Sequence, residues 1–258
     1  MGPDLRFAHE LADAADAVTL GRFRALDLLV ETKPDLTPVT EADEAAEEAI
    51  RDLVARSRPG EGVLGEEHGD DGGDVRWIVD PIDGTRNYVR GVPLWATLIA
   101  LEREGRLDAA VVSAPALGRR WWAARGEGAF AGDDSNRIRV SAVERLEDCA
   151  VSTTDVLAMP SGWTEIARRA WVSRAFGDFW QHCLVAEGAI DLAAEPSLEI
   201  WDYSAVRLLV EEAGGRCSTF AGDPPAPGAS FLTANAAVHE AVVAILTGTD
   251  PARIPSQP

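Results

Sequence analysis

Residues 77–88 carry the sequence WIVDPIDGTRNY, which begins as a short apolar run of the kind found in β-strands. Pro81 has no backbone N–H to donate to a neighbouring strand, so we expect the strand to end there. Asp80 and Asp83 lie three positions apart, and a glycine and a threonine follow them. Glycine lets backbone N–H groups approach an anion, and carboxylate oxygens suit a divalent cation. The pattern therefore indicates either a combined cation and phosphate site or an ordinary turn.

The composition describes an acidic globular protein. Of the 258 residues, 46% are hydrophobic and 26% are charged, which is ordinary for a globular chain. The formal net charge is −19 at pH 7, and this argues against nucleic acid or an anionic membrane surface as a partner. A small anionic substrate stays compatible with this charge, because bound cations can reverse the local sign.

The cysteines and the N-terminus favour a cytoplasmic location. The chain has three widely spaced cysteines and no C-x-x-C pair, which suits a reducing compartment and predicts no zinc site. The first residues lack the basic and apolar regions of a signal peptide, and no apolar run approaches the length of a membrane span. We therefore expect a cytoplasmic protein that does not contact a membrane.

The first half of the chain combines helices with hairpins. Apolar residues over 4–31 recur at helical spacing and predict one helix there. Thr40 and Asp43 have the spacing of a capping box, so a second helix should begin at Thr40. Over residues 96–140, strand-like segments flank glycine-containing turns and predict β-hairpins. We expect an α+β part over residues 1–140.

The second half alternates between the two element types. Strand-like segments occur near residues 150–152, 172–176, 189–194, 216–218 and 230–233. Helix-like segments lie between or after them, near residues 163–170, 178–187, 202–213 and 236–246. This alternation is typical of an α/β arrangement, which we predict for residues 141–258.

Carboxylates occur at four separate places where the backbone should change direction. They are Asp43, Glu66 with Glu67, Asp80 with Asp83, and Asp202. Each has an ordinary structural explanation. Asp43 could cap its helix, the two glutamates could belong to a solvated loop, and Asp202 could be a charge at a helix N-terminus. None of the four places indicates a site when taken alone.

Taken together, these places resemble the inositol monophosphatase family of magnesium-dependent phosphatases. The matching segments, in the family's order, are Val39–Asp43, Gly65–Glu67, Asp80–Tyr88, and Trp201-Asp202 with Glu211–Gly215. The resemblance implies a layered α-β-α-β-α sandwich of the inositol monophosphatase and fructose-1,6-bisphosphatase type. It places metal and phosphate binding in residues 1–140, while residues 141–258 supply Asp202 and the substrate contacts.

The same resemblance implies two or three Mg2+ ions and their ligands. Glu66, Asp80 and the backbone carbonyl of Ile82 would hold one ion. Asp80, Asp83 and Asp202 would hold a second, and a third, weaker ion would lie near Glu66. Magnesium prefers oxygen ligands, which is what this set offers. Two ions about 3.5–4 Å apart can neutralise the phosphoryl oxygens, activate water and stabilise the leaving oxygen.

The resemblance also implies which groups act on the phosphate ester. Asp83 and the backbone N–H groups of Gly84 and Thr85 would contact the substrate. Asp43, the Thr85 hydroxyl and Glu66 would orient and deprotonate the attacking water. Because no cysteine or histidine is placed as an obvious covalent nucleophile, we expect direct in-line attack by water without a phospho-enzyme.

Four loop segments resemble the histidinol-phosphate phosphatases of this family more than its inositol enzymes. They are residues 32–40, 88–97, 113–117 and 177–180. L-histidinol phosphate carries an ammonium and an imidazole, so its pocket should contain acids. Glu195 lies seven residues before Asp202, where the family places a substrate-contacting acid, and Asp178 begins a predicted helix at a strand-to-helix edge. The alternatives are a helix N-cap for Asp178 and a surface turn for Glu195.

Three functions are compatible with the sequence. The first is a Mg2+-dependent histidinol-phosphate phosphatase, and the second is an inositol-1-phosphate or broader sugar-phosphate phosphatase. The third is a non-catalytic regulatory binding protein on the same fold. We expect a small phosphorylated metabolite as the partner and a homodimer as the assembly, as is usual in the family. Arg86 and Arg174 could meet the phosphate or form surface ion pairs, and His68 replaces a small hydroxyl residue common in the family.

Overall fold

The computed structural model describes residues 1–34, 36–133 and 135–249. Asp35 of the 32–40 loop and residues 250–258 of the C-terminal part lie outside the described residues. The described chain forms two compact units, one made of Met1–Arg137 with Ile200–Glu212, the other of Ile138–Glu199 with residues 213–249. The segment that carries Asp202 therefore belongs to the first unit, although it comes late in the sequence.

Helices and strands are numbered in chain order. The α-helices of the described residues are α1 (Pro3–Arg22), α2 (Glu41–Ser57), α3 (Thr85–Val89), α4 (Ser161–Arg169), α5 (Asp178–Ala186), α6 (Ile200–Glu212) and α7 (His239–Thr247). The strands are β1 (Val30–Thr32), β2 (Pro38–Thr40), β3 (Gly62–Gly65), β4 (Gly69–Asp70), β5 (Val75–Asp83), β6 (Ala96–Arg103), β7 (Arg106–Ala114), β8 (Arg119–Ala124), β9 (Gly128–Ala131), β10 (Arg137–Ile138), β11 (Ala150–Thr153), β12 (Val172–Arg174), β13 (Leu192–Leu198), β14 (Gly215–Ser218) and β15 (Ala229–Asn235). No helix in these described ranges is long and apolar enough to cross a membrane.

The first unit is built on an eight-stranded sheet with the order β10-β9-β8-β7-β6-β5-β3-β4. Strands β5 to β9 pair antiparallel in sequence, which confirms the predicted hairpins, while β3 and β5 run parallel. Helices α1 and α2 pack their apolar faces against the sheet. The buried cluster includes Leu5, Leu11, Ile50, Trp77, Ile99 and Trp122. Each such side chain contributes about 1.5–3 kcal/mol through removal from water.

The capping box predicted at Thr40 is present. The Thr40 side chain accepts a hydrogen bond from the Ala42 backbone N–H at 3.1 Å, and the Asp43 carboxylate accepts one from the Thr40 N–H at 2.9 Å. Both bonds satisfy donors that would otherwise lack partners at the start of α2. The start of this helix is thus determined by residues within four positions of each other.

Helix α1 is shorter than the sequence pattern predicted. The prediction of one helix over residues 4–31 is wrong beyond the end of α1. Phe23 leaves the helical conformation with φ −58° and ψ 123°, and its ring packs against Tyr88 and Trp95. Leu26, which the helical pattern included, is fully exposed. Aromatic packing of Phe23 therefore ends the helix, and the leucine at its predicted continuation lies in solvent.

Strand β5 continues through Pro81, contrary to the expectation that it would end there. The strand extends to Asp83, and its register against β6 shifts between Asp80 and Asp83. The missing N–H of Pro81 falls within this irregularity, where the regular ladder of hydrogen bonds is already interrupted. The Pro81 carbonyl accepts a hydrogen bond from the Thr97 hydroxyl at 2.8 Å. The bulge, rather than a strand end, changes the direction of the chain at the two aspartates.

The second unit contains a mixed five-stranded sheet with the order β12-β11-β13-β15-β14. Strand β11 pairs parallel with β12 and β13, while β15 pairs antiparallel with β13 and β14. Its main buried cluster includes Val151, Trp163, Ile166, Leu192, Leu232 and Val242. The alternation of strands and helices predicted for this half of the chain is observed.

His182 is buried in the second unit, on α5. It is 1% exposed, and its Nδ1 lies 2.8 Å from the Thr233 hydroxyl oxygen. Its ring packs edge-on against Phe231, with ring centroids 5.1 Å apart. Burial lowers the pKa of His182 to about 3, so the imidazole is neutral in the folded protein near neutral pH.

We expect His182 to make the protein less stable in mild acid. Its pKa is lowered from 6.5 to about 3 on folding, so between these values the unfolded state binds more protons and stability falls as pH falls. His182→Asn removes this effect. The unfolding free energy lost through the mutation should be about 1.4 kcal/mol smaller at pH 5.5 than at pH 7.5. Urea titrations of both proteins at both pH values measure the difference, and an equal loss at the two values would contradict a neutral buried imidazole.

Candidate active site

Three carboxylates from distant parts of the sequence meet in the first unit. Glu66 follows β3, Asp80 lies on β5, and Asp202 lies in the first turn of α6. One oxygen from each lies within 4.8 Å of the others. Asp80 is 1% exposed, and the other two are partly buried. The structure thus brings together three of the predicted metal-ligating side chains.

The electrostatics of this cluster favour a bound cation. Burial raises the pKa of Asp80 well above its usual range, and the negative charges of Glu66, Asp83, Asp202 and Asp43 raise it further. A divalent cation would relieve this repulsion and let the carboxylates stay ionised. Since the donor set consists of carboxylate oxygens, it fits magnesium better than metals that prefer nitrogen or sulfur.

The bulge in β5 arranges the backbone beside the cluster. The Ile82 N–H donates to Asp80 Oδ1 at 3.0 Å, and the Ile82 carbonyl accepts from the Thr85 hydroxyl at 3.0 Å. Gly84 adopts a left-handed conformation, with φ 86° and ψ 34°, and precedes α3. This conformation favours glycine at position 84. The proposed roles of the Ile82 carbonyl and of the Gly84 and Thr85 N–H groups stay predictions.

Asp43 lies close to Thr85, as the expected catalytic pair requires. Asp43 Oδ2 accepts hydrogen bonds from the Thr40 N–H at 2.9 Å and from the Thr40 hydroxyl at 2.6 Å. Asp43 Oδ1 accepts a hydrogen bond from the Thr85 hydroxyl at 3.3 Å. One carboxylate therefore both caps α2 and contacts Thr85, so the structural and functional interpretations of Asp43 are compatible.

Burial raises the pKa of Asp43 to about 6, although hydrogen bonds from Thr40 oppose the shift. The negative charge of Glu66 raises it further, and the hydrogen bond from Thr85 lowers it. A carboxyl group in this range can accept or release a proton near neutral pH, which is the property that a general base needs.

Lys33 is a residue at the site that the sequence did not single out. Its ammonium lies 2.8 Å from Glu66 Oε1 and 2.8 Å from Glu67 Oε1. Burial lowers the pKa of Lys33, but hydrogen bonds to these two carboxylates outweigh burial and raise it overall. Burial also raises the pKa of Glu67 to about 7, against the opposing effect of Lys33. The two glutamates therefore belong to a partly buried charged network and not to a solvated loop.

The two acids expected to contact the substrate lie in the second unit. Glu195, on β13, is 5% exposed, and its Oε1 accepts hydrogen bonds from the Thr154 hydroxyl and the Gln181 side-chain amide. It is therefore not a surface turn residue. Asp178 is the first residue of α5, after the N-cap Gly177, and its N–H donates to the Thr154 hydroxyl oxygen at 3.0 Å. Thr154 thus connects both acids, whose substrate contacts stay predictions.

The remaining candidate residues, two arginines and a histidine, lie at or near the protein surface. Arg86 and Arg174 are both exposed, and Arg174 donates to the carbonyl of the adjacent Ser173 at 2.9 Å. The His68 side chain is 43% exposed, and its Nδ1 lies 3.4 Å from Glu47 Oε1. Glu47 was not singled out from the sequence. Its spacing was the available signal, because it lies four residues after Asp43 on the buried face of α2.

The mixed α and β fold and the cluster of three carboxylates fit a phosphatase, and comparison with known families agrees. A model of the inositol monophosphatase family matches residues 2–248. The chain belongs to this family of phosphomonoesterases, whose members generally use Mg2+.

Named relatives and solved structures match along nearly the whole chain. A histidinol-phosphatase from Streptomyces coelicolor is 50% identical, over 94% of this chain and 96% of its own. A histidinol-phosphatase from Mycobacterium tuberculosis is 49% identical, over 93% and 96% respectively. The solved structure of an IMPase from Thermotoga maritima has a TM-score of 0.88 at 30% identity and covers 96% of this chain and 98% of that chain. The expected layered fold of the inositol monophosphatase type is confirmed.

We expect Asp80→Asn to stabilise the metal-free protein and to abolish its response to magnesium. Asparagine keeps an oxygen for the Ile82 N–H and removes one buried negative charge. In chelator, a gain of about 1 kcal/mol would raise the Tm by about 2–4 °C. MgCl2 should raise the Tm of the wild type, because binding stabilises the folded state, but not that of the variant.

Thermal unfolding with EDTA or MgCl2 measures both effects. Asp74→Asn is the matched control, because Asp74 is exposed and directly precedes β5. A Tm increase with MgCl2 that is equal in Asp80→Asn and in the wild type would exclude Asp80 as a metal ligand.

Proposed function

We propose that this chain is a Mg2+-dependent phosphomonoesterase that hydrolyses L-histidinol phosphate to L-histidinol and phosphate, a step of histidine biosynthesis. The observation that carries the metal-dependent chemistry is the meeting of Glu66, Asp80 and Asp202 within 4.8 Å. Support for the substrate comes from the two histidinol-phosphatase relatives at 49% and 50% identity. The resemblance of the loop segments points the same way.

In this proposal, Glu66, Asp80, Asp83, Asp202 and the Ile82 carbonyl hold two or three Mg2+ ions. Bound magnesium supplies positive charge that neutralises the phosphoryl oxygens and lowers the pKa of water. The side chains provide the oxygen ligands, and the sheet and helices that carry them fix their separation. The number of ions present during turnover is part of the proposal.

The proton of the attacking water passes to the chain through Thr85 and Asp43. The Thr85 hydroxyl is oriented by its hydrogen bonds to Asp43 Oδ1 at 3.3 Å and to the Ile82 carbonyl at 3.0 Å. With its hydrogen directed toward these acceptors, the hydroxyl oxygen is able to accept a hydrogen bond from water. Asp43, whose pKa is raised to about 6, can take up a proton near neutral pH. Glu66 helps to orient the same water.

Recognition of the substrate's cationic part is assigned to Glu195 and Asp178. A carboxylate that accepts hydrogen bonds from a hydroxyl and an amide is held in one orientation. Glu195 has both donors, Thr154 and Gln181. A charged carboxylate attracts an ammonium or an imidazolium, whereas a neutral polyol such as inositol lacks this charge.

Two alternatives remain. An inositol-1-phosphate or broader sugar-phosphate phosphatase would keep the same metal chemistry, and the structural similarity to the Thermotoga maritima IMPase favours it. A non-catalytic regulatory binding protein would need the carboxylates for another purpose. The presence of Asp43, Thr85 and the acidic cluster in one unit argues against this last function.

The deciding experiment measures phosphate release with MgCl2 from L-histidinol phosphate, inositol 1-phosphate and fructose 1,6-bisphosphate, with EDTA as the blank. The proposal expects magnesium-dependent release, with the highest kcat/KM for L-histidinol phosphate. Preference for inositol phosphate would keep the chemistry and reject the assigned substrate. No release from any of the three by folded protein would reject the enzymatic function.

We expect Glu195→Gln to weaken recognition of the cationic substrate specifically. Losing the charge should raise KM for L-histidinol phosphate about tenfold, equivalent to about 1.4 kcal/mol, with little change for inositol 1-phosphate. Steady-state kinetics on both substrates check this. Glu199→Gln is the control, because Glu199 is an exposed acid four residues later. Equal KM changes for both substrates would show that Glu195 does not select the cationic substrate.

A cytoplasmic location and a homodimer complete the proposal. All three cysteines, Cys149, Cys183 and Cys217, are free thiols, which suits a reducing compartment. The homodimer rests on the family resemblance.

A further inference from the structure

A buried carboxylate outside the proposed mechanism contacts the loop that carries Glu66. Glu47 is 0% exposed and lies one helical turn after Asp43 on α2. Its Oε2 accepts a hydrogen bond from the Glu67 N–H at 2.8 Å, and its Oε1 accepts one from the His68 N–H at 3.0 Å. Hydrogen bonds to a charged acceptor are stronger than those between neutral groups. One carboxylate therefore fixes the two backbone amides that follow Glu66.

Gly65 makes this contact sterically possible. It is the last residue of β3 and directly precedes Glu66. A Cβ atom at position 65 would lie 2.2 Å from the carboxylate carbon of Glu47. Any larger side chain would therefore displace either the carboxylate or the loop. The glycine of the Gly65-Glu66-Glu67 segment leaves the space that Glu47 occupies.

Arg51 balances the buried charge and extends the same support along the loop. Its Nε donates to Glu47 Oε1 at 2.8 Å. Its Nη2 donates to the Gly69 carbonyl at 2.5 Å, and its Nη1 lies 2.8 Å from Asp71 Oδ1. A buried carboxylate is costly unless it is paired and hydrogen-bonded, and here both conditions are met. The Glu47–Arg51 pair thus holds the loop after Gly65 at its start, and Arg51 also holds the short strand β4 that follows the loop.

We infer that Glu47 is a positioning residue for the metal site, because it fixes the backbone that directs the Glu66 carboxylate toward Asp80 and Asp202. The inference rests on the proposed function in one respect, namely that these carboxylates bind Mg2+. Groups that orient metal ligands act on metal affinity, since a ligand held in place loses less conformational freedom when the ion binds. Glu47 therefore acts through Glu66 and touches neither the substrate nor the reacting atoms.

The test compares Glu47→Gln with Glu48→Gln in the full chain. Glutamine keeps the shape of Glu47 but has one acceptor oxygen, so one of the two loop amides loses its acceptor. Glu48 is the exposed neighbour on the same helix, and its replacement by glutamine removes the same charge. Titration calorimetry with MgCl2 measures the Kd for Mg2+, and amide hydrogen exchange measures the protection of residues 65–69.

For Glu47→Gln we expect the Kd for Mg2+ to rise roughly 10- to 100-fold and the protection of the loop to fall. Glu48→Gln should stay within about twofold of the wild type, as exposed substitutions usually do. In activity assays, Glu47→Gln should need a higher MgCl2 concentration for half-maximal activity. At saturating MgCl2 its kcat should return to the wild-type value. A lower kcat with unchanged half-saturation would indicate a merely structural role and would overturn the inference.

The failure of this inference is distinguishable from the failure of the proposed function. An unchanged Kd for Mg2+ in Glu47→Gln overturns the inference alone. An absence of Mg2+ binding by the wild type overturns the proposed function and this inference with it. If Glu47→Gln does not fold, Arg51→Met takes its place, because it keeps the carboxylate and removes one of its donors. Its Kd should then rise roughly tenfold, and an unchanged Kd overturns the inference.

Discussion

The crowding of carboxylates around Asp80 is the constraint on which the rest of the site depends. Asp80 is almost completely buried, and the charges of Glu66, Asp83, Asp202 and Asp43 act on it as well. Like charges away from water repel strongly, so free side chains would move apart or take up protons. The arrangement persists because rigid elements impose it. A site strained in this way gains more from a divalent cation than isolated surface acids do.

The supporting elements come from distant parts of the chain but from one compact unit. Strand β5 pairs with β3 and β6 in the eight-stranded sheet, so the Asp80 backbone is fixed on both sides. Helix α2 carries Asp43, and α6 brings Asp202 from late in the sequence. Since Trp77, Ile78 and Val79 are buried, β5 cannot shift without disturbing the core. Packing of the sheet therefore sets the separation of the acids.

The sequence predicted the structure correctly where local structure depends on residues that are close together in the chain. The capping box at Thr40 and the hairpins involve residues a few positions apart, and the motifs supplied every carboxylate of the acidic cluster. The predictions were wrong where contacts between residues far apart in the chain determine the local structure. Helix α1 ends because Phe23 packs on Tyr88 and Trp95, some 65 residues and more away in the chain. Pro81 stays in β5 because a bulge accommodates it.

Lys33 and Glu47 were missed for a related reason. The importance of each depends on which loop it meets, and a sequence pattern does not give that. For Glu47 a usable signal existed, because a charged residue in the apolar stripe of an amphipathic helix needs buried partners. The partners turn out to be Arg51 and the loop after Gly65. The charge of Glu47 at a predicted core position therefore indicates a buried partner, here the loop that carries Glu66.

The residues proposed for metal binding and proton transfer and those proposed for substrate recognition lie in different units of this chain. The acids proposed for metal binding and proton transfer all lie in the first unit, while Glu195 and Asp178 lie in the second. Glu195 is held by Thr154 and Gln181, both also in the second unit. Substitutions at Thr154 or Gln181 would therefore change how Glu195 presents its carboxylate, whereas the position of Asp80 depends on the sheet of the first unit.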